Sequence, residues 1–568
     1  MATDCECGVS RGLFIKALLF MLPPVFLVLH RYVFSVGNWL SLSVLTLVSL
    51  IAVVLLVFPK RHFRINEADI FLVVYCLYSL LRILLSERCY IEPLSAVKWI
   101  LMFSLYLIGR QTGSRYIYIL LLSVSICGVI AYPAHFFNNT GHLGAYVAIG
   151  LSGIFGLLAG SRRYSHRWLT YAVLSVLLLV FLVLSLSRGA VVAVAAALAY
   201  LLLTSKTFKG VSLRKKRLYV IVSNVVLVAG IILLYSLRSG SADVRLLIWS
   251  ACGEAFLKSP IFGYSAGAVQ SLYMPWQASY FQTHPMSSFA PLATNHYQTF
   301  NEPLHLLCEQ GLVGFVLFSA FVYQCLRKCK SRGLNSALLA SAVCSLFLYT
   351  YDISPIAMLV PVFLGMATTY SYVSTSEGRF ACRFLDRPKT VHIMSLVIVS
   401  VSIAVCCAVA GRYDKAEHAL AAFRALPQDS VAKRIAPTLE GVIFKNKDMS
   451  LLYATHSFRL SAADHVSVLE ACARRIKVVE MMSALGNLYL EQDGMRNLAE
   501  RCFLEAHYMT PDRMIPKYDL FKLYRDIGDS DKANEWAELI LSSSPRTYNA
   551  ITIEIKSKAR EFMESIKK

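Results

Sequence analysis

Charged side chains are scarce in this 568-residue chain, at 16% of residues, compared with about one quarter in an ordinary soluble domain. Hydrophobic residues make up 56% of the chain. This shortage of charge excludes a single large soluble domain, because such a domain could not keep so much apolar surface from water. It indicates a chain that lies largely in a lipid bilayer, where each helical span takes about 20 apolar residues.

A spaced cysteine framework is also missing. The fifteen cysteines are irregularly placed, and several, such as Cys127, Cys344 and Cys406, lie inside apolar runs. That placement is typical of small core residues rather than of disulfides or metal ligands. The sequence therefore predicts neither a disulfide scaffold nor a metal site built on cysteine.

The formal net charge of +21 comes from Lys and Arg in short clusters between apolar runs. A basic patch on a soluble domain would indicate nucleic-acid binding. Basic clusters in the loops between spans are instead typical of the cytoplasmic side of a membrane protein. We therefore expect the lipid bilayer, and no nucleic acid, as a partner. The clusters lie at 60–64, 162–167, 206–217, 327–332 and 379–389.

About thirteen apolar runs are long enough, or nearly so, to cross a bilayer. With the N-terminus in the cytoplasm, every second loop is cytoplasmic, and those are the loops that carry the basic clusters. An odd number of spans places the C-terminal tail outside. The predicted spans cover about 13–30, 38–58, 69–86, 93–109, 116–134, 143–159, 168–186, 189–204, 218–236, 304–325, 335–351, 355–372 and 391–411.

The tail repeats itself at an interval of 34 residues, as four pairs of small, apolar or turn residues show. This spacing resembles the tetratricopeptide pattern, in which paired helices stack and small residues lie where helices approach closely. The stack would either cap the protein or hold an acceptor or a protein partner, and both alternatives are open. The pairs are Gly494 and Gly528, Ala499 and Ala533, Ala506 and Ile540, and Pro511 and Pro545.

The predicted fold class is all-α: a polytopic membrane protein with a long external loop and a C-terminal helical-repeat domain. The predicted domains are N-terminal membrane helices at 1–236, an external loop at 237–303, C-terminal membrane helices at 304–411 and tetratricopeptide-like repeats at 412–568.

Isolated positive charges on the predicted external side break the rule that the other basic residues obey. Arg188 lies between two apolar spans in Ser187-Arg188-Gly189. A tight turn at the glycine would fix its guanidinium in a geometry that suits a phosphate, and a snorkelling arginine is the alternative. In the long loop, Arg245 and Trp249 share one helix face, as they would on an interfacial helix with or without a ligand.

The end of the long loop carries the other candidate residues. A proline follows Asn301 and Glu302, which places this pair at a helix N-terminus, where unpaired amides favour an anion. His305 and Glu309 then share one face of that helix. Either His296 or His305 could act as a base near neutral pH, although a histidine at a span boundary is more often structural.

In this order, these segments resemble the O-antigen ligase superfamily, which includes lipopolysaccharide O-antigen ligases, O-antigen polymerases and protein O-oligosaccharyltransferases. The stretch 136–146, which contains Asn139, also resembles the Phe-x-Asn-x-x-x-x-Ala-Tyr loop of the family. Phe300 stands where the family commonly has a histidine before its asparagine. The other matching residues are Ser187, Arg188, Gly189, Arg245, Trp249, Pro260, Gly263, Gly267, Asn301, Leu304, Glu309, Gly311 and Gly314.

The resemblance implies transfer of a glycan from an undecaprenyl diphosphate carrier to an acceptor glycolipid, glycan or protein, at the periplasmic face of a bacterial inner membrane. It assigns Arg188 and Arg245 to the diphosphate, without a metal or other cofactor. The base would be His305, His296 or Glu302. The supporting residues would be Asn301, Glu309, Gly311, Trp249 and Asn139.

Two other classes of function fit many spans. A transporter or flippase for a lipid-linked or anionic substrate usually shows two similar halves or charges near the midplane, and neither is seen in the sequence. A non-catalytic assembly protein could use the tail to recruit partners, but an anchor for such a protein needs one span rather than a dozen.

Overall fold

The computed structural model is helical throughout its regular structure. It describes residues 2–33, 38–57, 66–86, 90–137, 139–205, 212, 214–215, 240–327, 329–373, 388–426, 432–492, 494–544 and 549–566, and no strand lies among them. The helices before the tail are α1 Ala2–Val33, α2 Asn38–Val57, α3 Glu67–Leu85, α4 Pro93–Thr112, α5 Ile117–Ala131, α6 Thr140–Gly160, α7 His166–Leu184, α8 Arg188–Leu203, α9 Gly240–Lys258, α10 Ala268–Thr283, α11 Glu302–Leu326, α12 Arg332–Ser345, α13 Ser354–Val373 and α14 Pro388–Ala425.

Six described helices are long and apolar enough to cross a membrane, and four shorter apolar helical segments accompany them. Twelve of the predicted spans overlap described helices, while the predicted span at 218–236 lies outside the described residues. The helical fold class is thus confirmed, and the number of crossings stays a prediction. The six are α3, the helix at Ser114–Ala131, α6, α7, α11 and the Leu396–Ala425 part of α14.

Small residues let the helices of this region approach closely. A Cβ atom added at Gly109 in α4 would lie 2.1 Å from the carbonyl oxygen of Val362 in α13. A Cβ atom at Gly365, one turn further along α13, would lie 2.1 Å from the carbonyl oxygen of Tyr106. Close backbone contact at small residues is how membrane helices pack without a hydrophobic driving force between them.

The connections between helices gather at two ends. At one end, Arg327 and Glu67 form an ion pair at 3.0 Å, and Arg332 donates to the carbonyl oxygen of Thr204 at 3.3 Å. All of these residues lie at or beside loops that the sequence predicts to be cytoplasmic. At the opposite end, Nε2 of His142, in a predicted external loop, lies 3.0 Å from the hydroxyl oxygen of Tyr349, at the external end of a predicted span. These contacts are compatible with the alternation of loops expected from the sequence, and the topology stays a prediction.

The tail continues directly from the last predicted span, because α14 runs through residues 411 and 412 as one helix. Eight further α-helices follow it in the part of the tail that the structure describes. They are α15 Pro437–Ile443, α16 Lys447–His456, α17 Ala462–Arg475, α18 Val479–Leu490, α19 Arg496–Met509, α20 Met514–Ile527, α21 Ser530–Ser542 and α22 Ala550–Ile566.

The 34-residue spacing has a structural counterpart in two successive helix pairs, α18–α19 and α20–α21. Gly494 and Gly528 both have positive φ, at 81° and 82°, and each lies just before the second helix of its pair. Ala499, Ala533, Ala506 and Ile540 are all fully buried. The helix pairs are observed, whereas the assignment to the tetratricopeptide family stays a prediction, and Pro545 lies outside the described residues.

The tail packs against the long loop rather than hanging free of it. Gln277 of α10, fully buried, donates to the carbonyl oxygen of Met509 in α19 at 2.6 Å. Arg475 of α17, also buried, donates to the hydroxyl of Ser271 at 2.8 Å and to the carbonyl oxygen of Tyr90. Buried polar contacts of this kind fix register, because each is costly to leave unpaired. The tail and the long loop therefore lie at the same end of the helices.

Cysteine labelling on intact cells tests on which side of the membrane that end lies. We expect Ser544→Cys, exposed in the tail, to react with a membrane-impermeant maleimide above the background of the wild-type chain, because the tail is predicted to be external. Tyr164→Cys, at the end that carries the basic residues and 82% exposed in the wild type, should react only after lysis. The reverse pattern would overturn the predicted orientation.

Candidate active site

The turn that carries Arg188 is fixed by close packing against α6. A Cβ atom at Gly144 would lie 2.4 Å from the Cβ atom of Ser187 and 2.7 Å from the hydroxyl oxygen of Ser185. Leu186, between those serines, has a positive φ of 49°, which is strained for a leucine. Arg188 then begins α8. The tight turn therefore lies at Ser185 and Leu186, just before the Ser-Arg-Gly segment, and the predicted turn at Gly189 is wrong, because Gly189 lies in the first turn of α8.

A set of backbone contacts joins the middle of the long loop to α11. The amide of Tyr264 donates to the carbonyl oxygen of Cys308 at 2.9 Å, and the amide of Leu312 donates to that of Pro260 at 2.8 Å. Gly311 has φ 63° and interrupts the helical backbone there. A Cβ atom on it would lie 2.3 Å from the carbonyl oxygen of Ile261. The Pro-x-x-Gly and Glu-x-Gly motifs are therefore the two halves of one backbone contact, hereafter the glycine junction.

A third contact holds the end of the loop. The indole Nε1 of Trp249 donates to the carbonyl oxygen of Thr299 at 2.9 Å. Asn301 caps α11, with its side chain accepting from the amide of Leu304 at 2.9 Å. Phe300, between them, has a positive φ of 51°. Such strain in a bulky residue persists only where the surroundings enforce it, and it clusters at functional sites.

The two arginines, which lie far apart in sequence, are close enough in the structure for the charge of one to influence the other. The guanidinium carbon of Arg245 lies 5.5 Å from the ring centroid of Phe300. Burial lowers the pKa of Arg245, and the nearby positive charge of Arg188 lowers it further. Two like charges held next to each other in a half-buried setting form a strong site for an anion.

Two of the candidate bases, His305 and Glu302, lie on α11 near further acidic side chains. Nε2 of His305 lies 3.3 Å from Oε1 of Glu309, and both side chains are largely buried. Glu302, 8% exposed, accepts from the amide of Tyr351 at 2.9 Å. Asp352 is close enough to interact with His305 electrostatically. His305 thus has a carboxylate partner that can orient its ring, and Glu302 is tied to the backbone.

His296 has a different environment. Its Nε2 lies 2.8 Å from the hydroxyl oxygen of Thr294, and its ring meets those of Tyr273 and Phe300 edge-on, with centroids 6.2 and 6.4 Å away. Burial lowers the pKa of His296, so the imidazole is neutral at neutral pH. Its ring contacts that of Phe300, over which Arg245 lies.

The predicted supporting residues divide by the part they play. Glu309 pairs with His305, whereas Asn301, Gly311 and Trp249 set the course of the backbone. Asn139 caps α6, accepting from the amide of Gly141 at 2.7 Å. Sequence reasoning missed Tyr349, whose ring contacts Phe300 with centroids 5.1 Å apart; its position at the end of a predicted span was the single signal that pointed to it.

Residues 173–319 match the family model for O-antigen ligase. The match extends from α7 into α11 and contains both arginines, His296, Glu302 and His305. It supports an O-antigen ligase-like glycosyltransferase, with a lipid-linked glycan and an acceptor as its substrates, in a membrane protein. Asn139, Tyr349 and the whole tail lie outside the matched residues. No curated protein matches the chain.

The packing of the arginine turn is tested by two glycines of one helix. Gly144→Ala should lower the apparent melting temperature in detergent, because overpacking of this kind costs about 1–3 kcal/mol. Gly160→Ala, at the other end of α6, adds a Cβ atom with no heavy atom within 4 Å and should leave the temperature unchanged or slightly raised. Equal melting of the two variants would show that the turn does not depend on this contact.

Proposed function

We propose that the chain transfers a glycan from an undecaprenyl diphosphate carrier to an acceptor hydroxyl. The observation that carries the proposal is the pairing of Arg188 with Arg245. They come from two separate motifs within the residues that match O-antigen ligases, and Arg245 lies over the ring of Phe300. Paired guanidinium groups suit a diphosphate, since each can hold two phosphate oxygens in a planar fork.

The reaction needs charge stabilisation more than covalent help. The bond between the anomeric carbon and the phosphate oxygen breaks, and the diphosphate leaves with the electron pair. The acceptor oxygen forms the new bond and loses its proton to a base. The arginines neutralise the charge that develops on the leaving group, and preorganised donors of this kind often supply the largest part of an enzyme's rate enhancement. The proposed reaction therefore uses no metal ion.

His305 is the proposed base. Nε2 of its ring faces Glu309, and a carboxylate in that position holds the proton on Nε2 and leaves Nδ1 as the basic atom. Glu302 already accepts from the backbone amide of Tyr351, so one of its carboxylate oxygens is engaged within the protein. His296 is the remaining alternative, since it lies beside Phe300.

The proposed setting is the periplasmic face of a bacterial inner membrane, where the acceptor is a glycolipid, a glycan or a protein. The tail lies against the long loop through buried contacts at Gln277 and Arg475. It is therefore well placed to present the acceptor or a protein partner to the site, and a purely structural cap is the alternative.

Loss of either arginine should abolish transfer. Arg188→Ala and Arg245→Ala should each cost on the order of 10²–10³ in turnover, as removal of one oxyanion donor does, and Arg→Lys should rescue poorly. Transfer is measured from a purified lipid diphosphate-linked oligosaccharide in detergent, with Arg163→Ala, exposed at the opposite end, as the matched control. Wild-type turnover in both alanine variants would remove the basis of the proposal.

The base is tested by amide substitutions. His305→Gln should lower kcat by about 10²–10⁴, the range for loss of a general base, and Glu309→Gln should give a smaller loss, because it removes only the partner of the ring. His296→Gln and Glu302→Gln are the matched comparisons and should retain more activity. If His305→Gln keeps wild-type turnover while one of the other two is inactive, the base is that other residue.

A further inference from the structure

Tyr349 lies where three separate parts of the chain meet at the arginine site. It belongs to the connection between α12 and α13. Its hydroxyl oxygen is 3.0 Å from Nε2 of His142, in the first turn of α6. Its ring packs edge-on against Phe300, the residue over which Arg245 lies.

The hydroxyl is close enough to Asp352 and to Arg245 to interact electrostatically with both groups. A tyrosine hydroxyl keeps its proton at neutral pH and can donate it in a hydrogen bond. An anion bound between the arginines would thus lie next to a neutral donor as well as next to two cations.

The direction of the hydrogen bond to His142 decides what the hydroxyl can do. If Tyr349 donates to Nε2, its proton is used within the protein. If the imidazole carries its proton on Nε2, it donates to the phenol oxygen, and the phenol O–H is free to donate elsewhere. A neighbouring anion favours the second arrangement, because the first would leave only lone pairs facing its negative charge.

We propose that Tyr349 is a third donor to the leaving diphosphate, and that His142 is a positioning residue that orients its hydroxyl. The inference rests on the proposed function, since it takes the lipid diphosphate as the ligand of Arg188 and Arg245. No proton is transferred in this step: the hydroxyl donates a hydrogen bond that strengthens as charge accumulates on the leaving oxygens.

A neutral donor has a physical advantage at this position. Arg188 already lowers the pKa of Arg245, so a third cation in the same half-buried space would add repulsion in the empty site. A phenol supplies a directed donor without that cost. Packing does not require the hydroxyl, because a phenylalanine at 349 could keep the edge contacts with the rings of His142 and Phe300.

Tyr349→Phe isolates the hydroxyl. We expect kcat for transfer from an undecaprenyl diphosphate-linked oligosaccharide to fall about 10- to 10²-fold, the size expected for a hydrogen bond to a charged group, with KM changing less than kcat. Tyr323→Phe is the control, because Tyr323 is 63% exposed near the far end of α11. A wild-type kcat in Tyr349→Phe would overturn the inference.

His142 is tested through the same readout. His142→Gln keeps an N–H that can donate to Tyr349 and should retain more of the kcat than His142→Leu does. The double variant His142→Leu/Tyr349→Phe should be no slower than Tyr349→Phe, because both changes remove one interaction. Losses that multiply in the double variant would show that His142 acts independently of the tyrosine and would contradict its positioning role.

The outcomes separate this inference from the function on which it rests. If Arg245→Ala is inactive while Tyr349→Phe has wild-type turnover, the proposed role of the arginines is supported and the proposed role of the Tyr349 hydroxyl is wrong. If the wild-type chain transfers no glycan from the carrier, the proposed function fails and the inference fails with it. A lower melting temperature in Tyr349→Phe with unchanged kcat and KM would make the hydroxyl purely structural and would also overturn it.

Discussion

The glycine junction is the constraint on which the rest of the site depends. It joins the long loop to α11 by backbone hydrogen bonds, such as that from Tyr264 to Cys308, across a distance that leaves no room for a Cβ atom at Gly311. Two side chains of α3 hold it from the membrane side: Arg82 donates to the carbonyl oxygen of Gly263, and Tyr78 to that of Gln310. The junction therefore fixes where α9 and α11 bring their functional residues.

The second constraint on the site is the electrostatic repulsion between two arginines. Arg188 and Arg245 are positioned by separate backbone features, and the charge of Arg188 disfavours that of Arg245. Leu186 and Phe300 adopt strained backbone conformations next to these arginines. Binding of a ligand can relieve electrostatic repulsion and backbone strain of this kind. An anionic leaving group is the ligand whose charge would offset the repulsion.

Side-chain hydrogen bonds join the tail to the long loop and to the segment before α4. Its buried contacts reach α10, through Gln277, and the segment before α4, through Arg475. Asn295, just before His296, donates to Glu480 of the tail at 2.9 Å. These contacts connect the tail to the loop that carries Phe300.

The sequence by itself determined the elements: apolar runs long enough to span, basic clusters at alternate loops, and motifs in which glycine or proline dictates the local backbone. It also marked Arg188 and Arg245, because an isolated charge is conspicuous in an apolar chain. Only the tertiary structure decided which elements meet. Nothing local links His142 with Tyr349, 207 positions away, or Gln277 with Met509, because such contacts depend on helix packing and not on spacing along the chain. Asn301 and Asn139, which the sequence predicts to be supporting residues, are local N-caps of α11 and α6.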